Sequence, residues 1–167
     1  MKKFTFAAIV STLIIASTMG SAQAGGSPGD IKLKVQTKNA LCTAEGTMNS
    51  CVINAGKMSK SKVSGKLDVL VNVDEISSTA LVFGSKAEVN LGTVENSTLK
   101  GNVHTQINVP QVTAVANGTM NKSVIDVGVI RDNKLGGKVR LTVNADKVIA
   151  STKGTGNSAH IDLAVID

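Results

Sequence analysis

Slid against itself by 36 residues, this chain lines up without insertion or deletion in four successive units, 24–59, 60–95, 96–131 and 132–167. A constant repeat length constrains the fold severely, because each copy must bury its apolar face against its neighbours. One column holds Gly29, Gly65, Gly101 and Gly137. Apolar columns follow: Ile31, Leu67, Val103 and Val139, then Val35, Val71, Ile107 and Val143. Gly46-Thr47-Met48-Asn49 returns as Gly118-Thr119-Met120-Asn121 and as Gly154-Thr155-Gly156-Asn157. The last two units are identical at 13 of 36 positions, where chance gives roughly two or three at ordinary residue usage.

Inside a unit the apolar residues alternate. Leu67, Val69, Val71 and Val73 are interleaved with Lys66, Asp68, Leu70 and Asn72, which is the period of a strand with one buried face. Ile76 to Val82 is less regular, and Ala87, Val89 and Leu91 alternate again. Gly92 interrupts the pattern there, marking a bulge or tight bend, and Val94 resumes it one step out of phase. β-Branched residues dominate, and no segment carries a capped helical pattern. The expected class is all-β: a β-solenoid or stacked β-arch of four 36-residue repeats, with an antiparallel β-sandwich as the alternative. The solenoid is favoured because it places column on column at about 4.8 Å. Polar columns then become hydrogen-bonded ladders. The ladder candidates are Asn49, Asn121 and Asn157; Asn72, Asn108 and Asn144 beside Gln36; and Asn54 and Asn90 continued by Asp126 and Asp162.

Composition fits a thin core. There is no Trp or Tyr, and of the three Phe only Phe83 lies beyond residue 24. Residues 1–24 read as a secretory signal peptide, with Lys2 and Lys3 before the apolar run 4–16 and Ala22-Gln23-Ala24 at the cleavage point. The repeats then span 25–59, 60–95, 96–131 and 132–167. No further segment approaches the roughly 18 apolar residues of a membrane-spanning helix. The expected location is therefore secreted, with the periplasm as alternative. The lysines are scattered and not interleaved with aromatic rings, so nucleic acid is not an expected partner.

Gly154-Thr155-Gly156-Asn157-Ser158-Ala159 resembles the G-x-G-N-x-A core of curlin repeats, the subunits of bacterial curli fibres. Gly118-x-Met120-Asn121-x-Ser123 and Gly46-x-Met48-Asn49-x-Cys51 are degenerate forms, and Gly84-Ser85-Lys86-Ala87 is weaker. Leu163 stands where curlins carry glutamine, and the long period is closer to that of Fap fibres, the other bacterial functional-amyloid system. The resemblance covers about eight residues per unit. It implies an extracellular, amyloid-like fibre subunit serving biofilm matrix and adhesion, exported unfolded and polymerised at the cell surface. The implied partners are the chain itself, a nucleator subunit and an outer-membrane secretion channel.

The chemistry-bearing residues point away from an enzyme. His104 shares a column with Asp68 and Arg140, and His160 with Glu88 and Val124, so both rings are expected in solvent without convergent partners for catalysis or a metal. No cofactor is expected. Asp126 and Asp162 lack the nine-residue glycine-paired repeat of calcium-binding β-rolls. Cys42 and Cys51 are expected to form a disulfide stapling the first unit, which could mark it as a cap. The last unit closes with Ile161, Leu163 and Ile166 and no polar tail, an open edge that invites another chain. The rival expectation is a monomeric β-repeat adhesin presenting Lys66, His104 and Arg140 as a contact face.

Overall fold

The computed structural model describes residues 11–14 and 29–167. The proposed signal peptide lies outside the described residues except for the strand β1 (Ser11–Ile14). The first rung holds β2 (Ile31–Ala44), β3 (Ser50–Ala55), β4 (Met58–Ser59) and β5 (Lys62–Val63). The second holds β6 (Leu67–Phe83), β7 (Lys86–Leu91), β8 (Val94–Glu95) and β9 (Thr98–Leu99). The third holds β10 (Val103–Asn108), β11 (Gln111–Thr119), β12 (Lys122–Val127), β13 (Ile130–Arg131) and β14 (Lys134–Leu135). The fourth holds β15 (Val139–Asn144), β16 (Lys147–Lys153) and β17 (Ser158–Leu163).

Pairing is parallel throughout, and the register between rungs is the sequence period. Ile31 pairs with Leu67, Leu67 with Val103, and Val103 with Val139. On the return strands Ile53 pairs with Val89, Val89 with Ile125, and Ile125 with Ile161. The molecule is a β-solenoid of four stacked rungs, and the antiparallel sandwich is excluded. Narrow three-stranded ladders, β4–β8–β13 and β5–β9–β14, close the cross-section.

Alternation explains the strands, and its interruption explains the corner. In β6, Leu67, Val69, Val71 and Val73 point inward, then Ile76, Ser78 and Ala80 do. The parity changes at Asp74-Glu75, so two successive side chains face outward and the strand turns. The irregular stretch 76–82 in the sequence is thus a strand seen past a bend. In the third rung Pro110 stands at this corner, and lacking an N–H it separates β10 from β11. The core between the long strands and β3, β7 and β12 is filled mainly by Ala, Val and Ile, with Leu91, the Cys42–Cys51 pair and the hydroxyls of Ser78 and Ser123. At Gly92 an added Cβ would lie 2.7 Å from Ile107 Cδ1, so glycine lets the next rung approach the bend predicted there.

Backbone conformation also repeats by column. Gly46, Val82, Gly118 and Gly154 all have positive φ, at 111°, 88°, 126° and 121°. The stack imposes this on Val82, although a β-branched residue is disfavoured there. A Cβ at Gly118 would lie 1.7 Å from the Val82 carbonyl oxygen. Since Val82 is 55 % exposed, it offers little burial in return. We expect Val82→Gly to stabilise the chain by about 1 kcal/mol and Gly118→Ala to destabilise it by at least about 2 kcal/mol. Urea titration followed by circular dichroism measures both.

Candidate functional site: the polar columns and the ends of the solenoid

Two columns form side-chain amide ladders. Asn108 Nδ2 donates to Asn72 Oδ1 at 2.7 Å, and Asn144 Nδ2 to Asn108 Oδ1 at 2.7 Å. Gln36 stands in register below Asn72. On the return strands Asn90 Nδ2 donates to Asn54 Oδ1 at 2.7 Å. In each case the later rung donates to the earlier, so the ladder has a direction.

Asn49, Asn121 and Asn157 also share one file, completed by Ser85, but their contacts run to the main chain. Asn121 N–H donates to Asn157 Oδ1 at 2.7 Å, Ser85 N–H to Asn121 Oδ1 at 2.7 Å, and Asn49 N–H to Ser85 Oγ at 3.3 Å. The carboxamides also close their own turns. Asn121 Nδ2 donates to the Asn117 carbonyl at 2.6 Å and Asn157 Nδ2 to that of Lys153 at 2.8 Å, while Asn49 Nδ2 donates to Glu45. A turn that would strand main-chain polar groups is thereby satisfied from the neighbouring rung. Two comparable files were not singled out from sequence. Ser61 N–H donates to Ser97 Oγ and Ser97 N–H to Asn133 Oδ1, while Lys66 and Lys138 N–H donate to Asp30 and Asn102. Small polar residues recurring at 36 were the available signal, obscured because Ser61 and Ser97 give way to Asn133 in one file and Asp30 and Asn102 alternate with Lys66 and Lys138 in the other.

The Asn54–Asn90 ladder changes character in the third rung. Asp126 is only 6 % exposed and sits in register on Asn90, with Asp162 above it. Arg131 Nη1 lies 3.8 Å from Asp126 Oδ2, its Nη2 contacts Asp162 Oδ2, and His160 Nε2 is 3.0 Å from Asp162 Oδ2. Ligand atoms of Asp126, His160 and Asp162 come within 4.8 Å of one another, a convergence that the sequence reading did not foresee for His160. The guanidinium of Arg131 already supplies the positive charge between the carboxylates. Asn90 Oδ1 and Asp126 Oδ1 are both buried without a hydrogen-bond partner among the described residues. An ionised carboxylate has no proton to give Asn90, and the ladder stops. Burial pushes the Asp126 carboxyl up, and Glu88 and Glu95 add to this against Arg131 and His160. For Glu88 burial works upward too, but hydrogen bonds from Lys86 and Asn90 and the charges of Lys86 and Lys57 outweigh it and hold the carboxyl below its usual range.

The disulfide Cys42–Cys51 joins β2 to β3 across the core of the first rung, with Cα atoms 5.8 Å apart. Ser78 Oγ of the second rung donates down to the Cys51 carbonyl of the first at 3.0 Å, and within the third rung Ser123 Oγ donates to the Ala114 carbonyl at 2.7 Å. His104 is half-exposed, with Nδ1 3.8 Å from Asp68 Oδ1.

The two ends differ. In the last copy of each core column, Leu135 of β14, Ile161 and Leu163 of β17, and Ile166 are 38–52 % exposed, whereas Leu99, Ile125, Val127 and Ile130, one rung below in the same columns, are at most 1 % exposed. At the other end Ile53, Met58 and Val63 remain buried. There β1 pairs with β3, Ser11 opposite Cys51. Asn49 Oδ1 is buried and has no hydrogen-bond partner among the described residues.

Asp126→Asn supplies the missing donor to Asn90 and removes a buried charge, and we expect about 1 kcal/mol of added stability at pH 7. An acid whose pKa rises on folding costs stability at neutral pH, and the cost disappears below about pH 4, where the unfolded chain is protonated too. The gain should therefore fade by pH 3. Glu88 has the opposite sign: its contribution is present at neutral pH and is lost as pH falls through its lowered folded value. Thermal melts at both pH values check this, and a gain of equal size at both would contradict it.

Compared with known proteins, the chain matches no family model, no curated protein and no solved structure, so its own geometry is the guide to its role.

Proposed function

We propose that this chain is a secreted structural subunit that stacks head to tail into β-rich, amyloid-like extracellular fibres of the biofilm and adhesion type. The observation that carries the reading is the last copy of each core column: Leu135, Ile161, Leu163 and Ile166 lie half open where the copies one rung below are sealed, while the first rung carries the same columns in the same register. Covering those four side chains with another rung recovers about 1 kcal/mol each. The polar columns match in direction as well. A first rung placed on the fourth brings Gln36 over Asn144 and Asn54 over Asp162 as donors. It also sets Asn49 Oδ1 where it can accept the Asn157 N–H. The curlin-like G-x-[GM]-N segments form the turn within each rung whose Asn side chains bond to the neighbouring rung, which supports the same reading. A nucleator and an export channel are the partners this function would require.

A second reading, a monomeric β-repeat adhesin, is favoured by β1, whose pairing with β3 caps the first rung wherever residues 1–24 are retained. The two readings part on the fate of residues 1–24. On the fibre reading their removal takes β1 away and opens the edge of β3. We expect residues 25–167, incubated near neutral pH, to form fibres in a concentration-dependent way, and the full chain to remain monomeric. A 25–167 chain that stays monomeric by light scattering over days at high concentration would favour the adhesin.

A further inference from the structure

One outer face of the solenoid is built from the residues that alternate with the core of β2, β6, β10 and β15. Register stacks Lys32, Asp68, His104 and Arg140 in one file and Lys34, Leu70, Gln106 and Thr142 in the next. A third file holds Asp30, Lys66, Asn102 and Lys138, joined through the bonds from Lys66 and Lys138 N–H to Asp30 and Asn102. In the middle rungs the charges are balanced, since Asp68 takes Lys66 Nζ at 3.0 Å and faces His104. At the ends they are not. Lys32 and Lys34 in the first rung, and Lys138 and Arg140 in the fourth, make no ion pair with any described residue. A shallow groove of about 240 Å³ lies against Lys32, Lys34 and Lys66.

Head-to-tail stacking brings these leftovers together. Arg140 of one copy comes to lie directly under Lys32 of the next, with Lys34 beside them and Lys138 under Asp30. Four cations then meet one carboxylate within two rungs, about 4.8 Å apart. Like charges placed opposite each other on adjacent strands oppose pairing. The apolar columns and amide ladders favour the junction that this charge file resists.

We propose that each subunit junction is completed by an acidic polysaccharide lying along this face, its carboxylates neutralising Arg140 of one copy and Lys32 and Lys34 of the next. The inference rests on the head-to-tail reading and adds a partner to it. With four rungs per subunit the cationic cluster recurs about every 19 Å along a fibre, which suits an extended polymer with charges along its length. The face carries no aromatic side chain on which a base could stack, which favours a polysaccharide over single-stranded nucleic acid.

The test compares assembly of residues 25–167 in low salt with alginate, with uncharged dextran, with DNA at equal charge concentration, and with no addition. Alginate should shorten the lag several-fold and dextran should not. The alginate effect should fade near 1 M salt, where the screening length falls to about 3 Å. The variant Lys32→Thr/Arg140→Thr, its fold checked by circular dichroism, should assemble sooner than the parent without any polymer and lose the response to alginate. A parent lag unchanged by alginate, or a variant that still responds, overturns the proposal while leaving self-stacking intact. A larger acceleration by DNA overturns the choice of polysaccharide. No assembly under any condition removes both readings.

Discussion

Register is what everything else in this molecule depends on. A rung offers only a thin layer of small aliphatic side chains, and it becomes a core only when the next rung lies over it, residue on residue. Ile53, Val89 and Ile125 are sealed because they stack. A slip of one residue would turn each outward. Main-chain hydrogen bonding cannot by itself prevent such a slip, since every parallel register satisfies it equally well. The polar columns supply the discrimination. An Asn121 N–H that must find Asn157 Oδ1, and an Asn108 carboxamide that must find Asn72, each have one partner at one offset. The left-handed positions reinforce this, because Met48, Gly84, Met120 and Gly156 turn the chain at the same place in every rung.

Much of this was legible in the sequence because a constant period turns linear spacing into spatial contact. Columns read at an offset of 36 became the observed Cα pairs, including His104 with Asp68 and Arg140. Less accessible was anything requiring the cross-section. The corner at Asp74-Glu75 breaks the alternation without breaking the strand, so 76–82 looked irregular. The file through Asn49, Asn121 and Asn157 could be placed, but not its use of main-chain donors, because a turn's shape decides whether a carboxamide meets another carboxamide or a peptide N–H. Nor could periodicity show that Arg131 reaches Asp126 and Asp162, since that contact joins different columns. His160 was expected to stand apart for the same reason.

The ends set the functional argument. A solenoid whose last rung leaves Ile161, Leu163 and Ile166 half open ends on core columns that recur at the same spacing in its first rung, and the proposed head-to-tail stacking rests on that identity. The same identity carries a hazard that charge can restrain: Arg140 and Lys32 share a file, as do the complementary Asn144 and Gln36. The strand Ser11–Ile14 acts on the opposite edge, and the proposed leader that contains it would decide when that edge opens.

Nuclear Overhauser contacts in the full chain test the columnar arrangement most directly. Strand residues should meet at a constant separation of 36, with Asn72, Asn108 and Asn144 side-chain amides seen in succession. Contacts whose residue numbers instead sum to a constant, as in antiparallel hairpins, would show that like residues do not stack.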